Sequence, residues 1–235
     1  MKVRQAFVLA GGKGERLRPL THSIPKPLVK VNGKPILEYS VELLAENGVE
    51  EIILSIGYMH EKIEEFFGSG KKFGAGIKYA VEKEPLGTGG ALKNAEEMLD
   101  EEFFMLNGDN IADFDLGGMA KQHLAGNASA TLALVEVENV SGFGIAKIEG
   151  KKILEFVEKP RPENAPSKMA NAGCYIIERD SLEFLPKGFN MIEKTLFPKL
   201  AGKGMLEWFR HKGLWLTTDT FERLGKAEEE IRKRE

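Results

Sequence analysis

Apolar residues in the first half of the chain fall into short runs that are separated by longer stretches with helical spacing. The short runs predict four buried strands, at residues 5–10, 51–56, 77–81 and 103–107. The stretches between them predict three helices, at residues 34–47, 59–67 and 89–99, with Pro35 in the first turn of the first helix and Gly48 directly after it. Because strands that alternate with helices of this length form right-handed crossovers, we expect an α/β fold with a mostly parallel central sheet.

The second half of the chain has more closely spaced apolar runs. Residues 128–138, 144–148 and 153–157 predict three strands separated by turn residues, which indicates antiparallel additions to the same sheet. Asn190 followed by Glu193 has the spacing of a capping box and predicts the start of a helix that continues to Ala201. The last segment, TFERLGKAEEEIRKRE, predicts a charged helix with a solvated face.

Composition limits the classes of protein to which the chain can belong. Its 235 residues are 42% hydrophobic, enough for a full core, and we expect one domain over residues 1–235. The net charge of −3 gives no general attraction to nucleic acid or to an anionic membrane. The sequence has no apolar run of about 18 residues, no secretory leader and one cysteine, Cys174, so we expect a cytoplasmic protein without a membrane span or an internal disulfide.

A glycine-rich loop at residues 10–18 follows the first predicted strand. The dinucleotide fingerprint G-x-G-x-x-G fails because Leu17 stands at its third glycine, and a P-loop fails because no glycine here is followed by Lys and then Ser or Thr. An ordinary turn does not require so many neighbouring cations, so we expect the backbone N–H groups to bind a polyphosphate. The cations that accompany the loop are Lys13, Arg16, Arg18 and Lys26.

The segments LAGGKGERLRPLT and PKPLVKVNGKPIL resemble the amino-terminal signature of the sugar-1-phosphate nucleotidylyltransferases, the nucleotide-sugar pyrophosphorylases. The segments EKEPLGTGGALKNA, FFMLNGDN, EFVEKPRP and MANAGCYII match further motifs of that family, so the resemblance extends from residue 3 to about residue 224. It implies a Rossmann-like three-layer α/β/α fold of the nucleotide-diphospho-sugar transferase type, without a C-terminal β-helix domain. It also implies that the protein joins an NTP to a sugar 1-phosphate, releases pyrophosphate and forms homo-oligomers.

The reaction that the resemblance implies requires no general base. The sugar phosphate is already an anionic nucleophile, so cations and a Mg²⁺ ion suffice to bring two anions together for in-line attack on the α-phosphorus. By resemblance, Arg16 contacts the departing pyrophosphate and Lys26 lies near the attacking phosphate. The four histidines are expected to be structural or exposed: His22, His60, His123 and His211.

The resemblance also implies which residues bind the nucleotide. Glu82 lies where relatives place a base-reading side chain, and its carboxylate can accept a hydrogen bond from guanine N1–H or from the N3–H of uracil. UTP or GTP is therefore favoured. Gly87 permits close approach of the ribose. The full nucleotide set is Leu9, Ala10, Gly11, Gly12, Lys13, Gly14, Glu82, Gly87 and Thr88.

Two aspartates are expected to bind the metal ion. Asp109 follows a buried strand, and Mg²⁺ in proteins is held by one or two carboxylates plus phosphate oxygens. Many hexose-specific relatives carry the second ligand in W-x-D-x-G-T, whereas WLTTDT places Thr217 at that position and Asp219 two residues later. We expect Asp219 to be the second ligand. This spacing is similar to that of glucose-1-phosphate cytidylyltransferases, which leaves CTP open.

The segments near residues 158 and 171 are implied to bind the sugar phosphate. By resemblance, Glu158 contacts the sugar hydroxyls and Lys159 the phosphate, which suits the chemistry of a carboxylate and an ammonium. The residues expected beside the hexose are Gly144, Asn171 and Gly173.

Two other functions stay open from the sequence. One is nucleotidyl transfer to a different phosphorylated acceptor, such as a polyol phosphate, a heptose phosphate or a molybdenum cofactor. The other is a non-catalytic subunit that binds a nucleotide-sugar. Against the second stands the joint presence of four charged residues that a binding protein would not need: Arg16, Lys26, Asp109 and Lys159.

Overall fold

Thirteen strands and six α-helices form within residues 2–234, which are the residues that the computed structural model of this chain describes. The strands are β1 (Gln5–Leu9), β2 (Lys30–Val31), β3 (Lys34–Pro35), β4 (Glu51–Ile56), β5 (Gly76–Val81), β6 (Glu102–Asn107), β7 (Asn110–Ala112), β8 (Ala130–Glu136), β9 (Gly144–Glu149), β10 (Lys152–Glu158), β11 (Met169–Glu178), β12 (Leu206–Arg210) and β13 (Trp215–Thr217). The α-helices are α1 (Ile36–Glu46), α2 (His60–Phe67), α3 (Gly87–Asn94), α4 (Leu116–Leu124), α5 (Leu196–Gly202) and α6 (Phe221–Arg232).

The strand and helix predictions for the first half are confirmed, with small shifts at the ends. The four predicted buried strands correspond to β1, β4, β5 and β6. Helix α1 begins two residues later than predicted because Lys34 and Pro35 form β3, which pairs with β2. Helix α3 begins earlier, at Gly87, and ends at Asn94, where a short 3₁₀ turn follows.

Two compact units make up the chain. The N-terminal unit contains Arg4–Pro85, Leu106–Phe114 and residues 213–234, and the central unit contains residues 2–3, Leu86–Met105 and Asp115–Lys212. The expectation of one domain over residues 1–235 stays a prediction, and residues 1 and 235 lie outside the described residues.

The N-terminal unit is built on three parallel strands. They lie in the order β5, β4, β1, with Gln5 beside Glu51 and Glu51 beside Gly76, so their carboxyl ends share one edge. Strands β7 and β13 pair antiparallel with Thr217 opposite Asn110. A buried apolar cluster joins these two strands to α1 and α6; its members include Ile36, Ile111, Leu216 and Ala227.

The central unit contains the predicted antiparallel strands. β8 pairs antiparallel with β11, and β9 pairs antiparallel with β10, with Gly144 opposite Glu158. β12 lies parallel to β8. Helix α5 places Phe197 against the rings of Phe156 and Tyr175, at centroid distances of 5.3 and 5.2 Å. Of the helices described between residues 2 and 234, none combines the length and the apolar character that crossing a membrane requires.

The capping box predicted from Asn190 and Glu193 is wrong. Helix α5 begins at Leu196 with Thr195 as its N-cap residue, and the amide of Asn190 donates to the carbonyl oxygen of Leu86. The Glu193 carboxylate instead accepts a 2.6 Å hydrogen bond from Thr88, which is distant in sequence. A long-range contact of the central unit has therefore displaced the local capping pattern.

Helix α4 offers a test of local stability. Asp115 is its N-cap residue, and the Asp115 carboxylate accepts a hydrogen bond from the amide of Gly118 at 2.8 Å. Replacing Asp115 with Ala removes this acceptor and is expected to lower the free energy of unfolding by about 1 kcal/mol. Denaturant unfolding measures the change, and Asp115→Asn, which keeps a capping oxygen, is the matched control. Equal losses in the two variants would contradict a capping role.

Candidate functional site

The loop that follows β1 leaves its glycine backbone open. A Cβ atom added at Gly12 would have no heavy atom within 4 Å. Within residues 2–234, the amide N–H groups of Gly11, Gly12 and Lys13 donate no hydrogen bond, whereas the amide of Ala10 donates to the carbonyl oxygen of Ser55 at 2.8 Å. Three successive N–H donors without a backbone acceptor therefore follow the end of a parallel strand, which is an arrangement suited to an anion.

Gly14 fixes the path of the loop beside Lys26. Its φ of 64° is in the left-handed region, and a Cβ atom at this position would lie 2.8 Å from the Cβ of Lys26. The carbonyl oxygen of Gly14 accepts a 2.8 Å hydrogen bond from the Thr21 hydroxyl, and the side chain of Leu17 is completely buried. Only glycine combines this backbone angle with such close packing against a neighbouring side chain.

Lys26 forms an ion pair with Asp109, and it is the more buried of the two predicted catalytic residues, Lys26 and Arg16. The Lys26 Nζ atom lies 2.6 Å from Oδ2 of Asp109, and the side chains are 10% and 44% exposed, respectively. Asp109 immediately precedes β7, and its backbone carbonyl oxygen accepts a 2.7 Å hydrogen bond from the Thr218 hydroxyl, directly after β13. The pairing of β7 with β13 therefore fixes the segment that carries Asp109.

Asp219 is held by two guanidinium groups. Its Oδ2 atom lies 2.7 Å from Nη1 of Arg16, and its Oδ1 atom accepts a hydrogen bond from Nη1 of Arg223 at 2.8 Å. Burial by itself raises the pKa of this carboxyl group. The hydrogen bond and charge of Arg223, together with the charges of Arg16 and Lys26, outweigh burial and lower the pKa of Asp219 below its ordinary value.

Glu82 lies against the beginning of the glycine loop. Its Oε1 atom accepts a 2.8 Å hydrogen bond from the Ser55 hydroxyl, and its backbone amide donates to Ile56. A Cβ atom at Gly11 would lie 2.7 Å from the same Oε1 atom. Glycine at position 11 thus leaves the space that the Glu82 carboxylate occupies.

The donors of the N-terminal unit fit a hard divalent cation. Asp109 immediately precedes β7 and Asp219 comes two residues after the end of β13, and because Thr217 lies opposite Asn110 both aspartates lie at the same end of this strand pair. Among residues 2–234, no three side chains of His, Cys, Asp or Glu come together as a metal-binding group. The residues that could hold a metal ion here are Asp109 and Asp219, whose segments are joined by the hydrogen bond from Thr218 to Asp109, and Mg²⁺ in proteins is bound by one or two carboxylates together with water and phosphate oxygens.

In the central unit, Glu158 and Lys159 form an ion pair at the end of β10. The Lys159 Nζ atom lies 3.0 Å from Oε1 of Glu158, whose side chain is 11% exposed, while that of Lys159 is 61% exposed. Lys159 has a φ of 49°. A Cβ atom at Gly144 would clash with the Phe156 ring and would lie 2.9 Å from Oε2 of Glu158, so glycine leaves room for both side chains.

A bulge in β11 positions Asn171. The register with β8 shifts between Asn171 and Tyr175, and Gly173 within the bulge has a φ of 80°. The Asn171 Oδ1 atom accepts from the amide of Gly173 at 3.0 Å, and its Nδ2 atom donates to the Tyr175 hydroxyl at 2.8 Å. Burial and the charges of Glu193 and Glu158 raise the pKa of Tyr175, so this hydroxyl stays protonated.

Thr88 connects the start of α3 to a buried acid. Its hydroxyl donates to Oε2 of Glu193 at 2.6 Å and accepts from the amide of Ile192 at 2.9 Å. Gly87 has a φ of 70°, and a Cβ atom there would lie 2.5 Å from the carbonyl oxygen of Asn190. Burial is the main cause that raises the pKa of Glu193, and the charge of Glu158 adds to it.

Comparison with known proteins places this geometry in a family. The sequence model of the family described as "Nucleotidyl transferase" matches residues 5–234. The chain is 40% identical over 218 residues to mannose-1-phosphate guanyltransferase of Yarrowia lipolytica, covering 90% of this chain and 60% of the relative. The chain belongs to the nucleotidyl transferase family.

Further relatives agree with this membership. A UTP–glucose-1-phosphate uridylyltransferase of Synechocystis is 37% identical over 217 residues, which cover 86% of this chain and 56% of the relative. The crystal structure of HddC from Yersinia pseudotuberculosis complexed with GMP-PN superposes with a TM-score of 0.82 at 30% identity, covering 97% of this chain and 100% of that one. The chain thus spans about 60% of the length of the curated relatives, and its α/β fold with a mixed sheet is that of the nucleotide-diphospho-sugar transferases.

The resemblance predicted from the motifs is confirmed at the level of the nucleotidyl transferase family. Within the N-terminal unit, the structure brings predicted site residues together in three pairs: Gly11 with Glu82, Lys26 with Asp109, and Arg16 with Asp219. The sequence predicted these residues but not their pairing. Gly87, Thr88 and the sugar-phosphate set belong to the central unit. Their predicted roles in binding stay predictions.

Among the described residues, four to which the sequence assigned no site role use their own side chains to form hydrogen bonds with side chains of the predicted set. They are Ser55, Tyr175, Glu193 and Arg223. Arg223 lies in the charged tail, where its i,i+4 spacing from Asp219 was the available signal. Of the four histidines, His123 is buried as expected of a structural residue: its Nδ1 atom lies 2.8 Å from the Thr131 hydroxyl, and burial lowers its pKa.

The raised pKa of Glu193 predicts a pH dependence of stability. A carboxyl group that binds its proton more tightly in the folded state contributes stability below the unfolded pKa of about 4.3, and this contribution is lost as the pH rises through the folded pKa. Glu193→Gln is neutral at every pH and keeps an acceptor for Thr88. Its free energy of unfolding relative to wild type should therefore rise as the pH increases from the unfolded pKa through the folded pKa of Glu193.

Denaturant unfolding at several pH values measures this difference. The matched control is Glu183→Gln, which replaces an exposed glutamate of the same unit and should show no such trend. A constant difference between Glu193→Gln and wild type would mean that Glu193 titrates at the same pH in both states.

Proposed function

We propose that this chain transfers a nucleotidyl group from an NTP to a sugar 1-phosphate and releases pyrophosphate. The observation that carries the proposal is the glycine loop. Three of its backbone amides donate no hydrogen bond to a backbone acceptor, and Gly14 of the loop packs against the buried cation Lys26. Loop amides and cations in one place suit a polyphosphate, and the relatives named as guanyl- and uridylyltransferases act on nucleotides with sugar 1-phosphates.

The reaction needs positioned charge more than proton transfer. An oxygen of the sugar phosphate attacks the α-phosphorus, the new P–O bond forms, and the bond to the β-phosphate oxygen breaks as pyrophosphate leaves. Because the nucleophile is already an anion, no base has to remove a proton. The amides of Gly11, Gly12 and Lys13 would bind the nucleotide phosphates, Lys26 would lie beside the attacking phosphate, and Arg16 would bind the pyrophosphate.

Asp109 and Asp219 would hold a Mg²⁺ ion. When bound, such an ion neutralises developing charge on the phosphate oxygens. Lys26 would also neutralise charge on these oxygens. Its side chain is buried, and the ion pair with Asp109 orients its ammonium group.

The Glu82 carboxylate favours a nucleotide whose base donates hydrogen bonds. Its carboxylate lies beside Gly11 at the start of the phosphate loop, and Ser55 fixes one of its oxygens. Guanine and uracil both offer N–H donors to such an acceptor, whereas the ring N3 of cytosine does not. GTP or UTP is therefore the proposed donor. The relatives named above, a guanyltransferase and a uridylyltransferase, support the same pair.

In the central unit, Glu158 and Lys159 would bind the acceptor. The Glu158 carboxylate is oriented by its ion pair and suits vicinal hydroxyls, while the exposed Lys159 ammonium suits a phosphate. Gly144, Asn171 and Gly173 would lie beside the sugar. The homo-oligomer and the cytoplasmic location stay predictions.

A substrate matrix tests the proposed function. Pyrophosphate release is measured for the four common NTPs against mannose 1-phosphate and glucose 1-phosphate, with Mg²⁺ and again with EDTA. We expect turnover with GTP or UTP in the presence of Mg²⁺ and none with EDTA. Absence of turnover in every combination would favour a different phosphorylated acceptor or a subunit that only binds nucleotide-sugar.

Lys26→Ala tests the central cation. Losing an oriented ammonium at the reacting phosphates is expected to lower kcat/KM by roughly 10²-fold or more. Lys30→Ala is the matched control, since Lys30 is an exposed cation of β2 in the same unit. Steady-state kinetics with the best substrate pair measures both variants. A near-normal rate in Lys26→Ala, or an equal loss in Lys30→Ala, would remove Lys26 from the mechanism.

A further inference from the structure

Both oxygens of the Asp219 carboxylate are in contact with a guanidinium group. Arg16 lies 2.7 Å from Oδ2, and Arg223 lies 2.8 Å from Oδ1. The Asp219 side chain is 13% exposed, and the charge of Lys26 also acts on it. A carboxylate that ligates a cation must share or give up such contacts.

Arg223 is the better fixed of the two arginines. Its side chain is 34% exposed, whereas that of Arg16 is 69% exposed. Arg223 also lies in the first turn of α6, where its backbone amide donates to the Thr220 hydroxyl at 3.3 Å. The helix therefore fixes the backbone of Arg223 one turn after Asp219, and the exposed Arg16 is the contact that solvent screens more strongly.

The position of Asp219 makes this contact relevant to the proposed metal site. Asp219 follows Thr218, whose hydroxyl donates to the backbone carbonyl of Asp109. The segments of both candidate ligands are thus joined by a hydrogen bond within the N-terminal unit. A guanidinium on Oδ1 opposes a divalent cation there in two ways, because it occupies lone pairs of the oxygen and because it adds a like charge nearby.

We propose that Arg223 is a positioning residue that sets the metal affinity of Asp219: it competes with the divalent cation for the carboxylate, so that the ion binds weakly in the absence of nucleotide. The proposal rests on the proposed function, since it takes Asp219 as a metal ligand. Nucleotide phosphates would then supply the negative charge that favours the ion, which couples binding of the ion to binding of the nucleotide.

Arg223→Leu tests the competition directly. With Mn²⁺ as the probe and no nucleotide or sugar phosphate present, electron paramagnetic resonance of free Mn²⁺ gives the dissociation constant. Removing Arg223 is expected to tighten Mn²⁺ binding by about threefold to tenfold, the range for losing one partly exposed charge contact. Arg223→Gln, which is polar and suits the exposed helix surface, is measured as a second variant in case the leucine disturbs α6.

Two further variants decide the cause of the change. Arg232→Leu removes the same charge from the same helix but from an arginine that pairs with Glu228 at 3.7 Å, so Mn²⁺ affinity should stay at the wild-type value. Adding Asp219→Asn to Arg223→Leu should abolish the gain. Unchanged or weaker Mn²⁺ binding in both Arg223 variants would overturn the proposal, as would an equal gain in Arg232→Leu or a gain that survives Asp219→Asn.

The measurement separates this inference from the proposed function. Mn²⁺ binding requires no turnover, so a chain that gives no pyrophosphate in the substrate matrix can still show or lack the effect of Arg223. If the chain turns over normally but its Mn²⁺ affinity does not change when Arg223 is replaced, the inference about Arg223 is contradicted and the proposed function is not.

Discussion

A buried ammonium group must have a negative partner, and this constraint organises the candidate site of the N-terminal unit. The Lys26 side chain is 10% exposed, so leaving its charge unpaired would cost several kcal/mol. Asp109 supplies the partner at 2.6 Å, and Thr218 fixes the backbone of Asp109. Gly14 is required at the other side, since any side chain there would meet Lys26. The glycine loop, β7 and β13 thus all serve to hold one cation in place.

Each cation proposed to bind phosphate has a carboxylate partner, but the pairs differ in strength. Arg16 and Lys159 are 69% and 61% exposed, and ion pairs at such exposure contribute little because water and salt screen them. Such pairs can be exchanged for phosphate contacts at small cost. Lys26 differs because its own side chain is only 10% exposed, although that of its partner Asp109 is 44% exposed. The site therefore combines a buried cation with exposed ones, which suits the proposed reaction, in which two anionic substrates enter and the products leave.

Sequence patterns predicted elements and residue types well and long-range pairings poorly. Strand β4 was predicted with its observed bounds, since four of its six residues are isoleucine or leucine and the run is short. The family motifs named Lys26 and Asp109, but only the fold shows that they pair across 83 residues. The predicted capping role of Glu193 was wrong because Thr88, 105 residues away, binds the same carboxylate. Arg223 was missed because local charge patterning does not distinguish it from Arg232, which pairs on the same helix.

Two glycines of the family motifs show why replacing a single glycine can disturb a site even when all its charged residues are kept. Gly11 and Gly144 do not have a positive φ, so backbone freedom does not explain them. At both positions an added Cβ atom would lie within 3 Å of a carboxylate oxygen, of Glu82 at Gly11 and of Glu158 at Gly144. These glycines therefore act by leaving space. A side chain at position 11 would therefore displace the Glu82 carboxylate, and one at position 144 would displace the Phe156 ring together with the Glu158 carboxylate; a displacement of about 1 Å is enough to weaken an oriented charge.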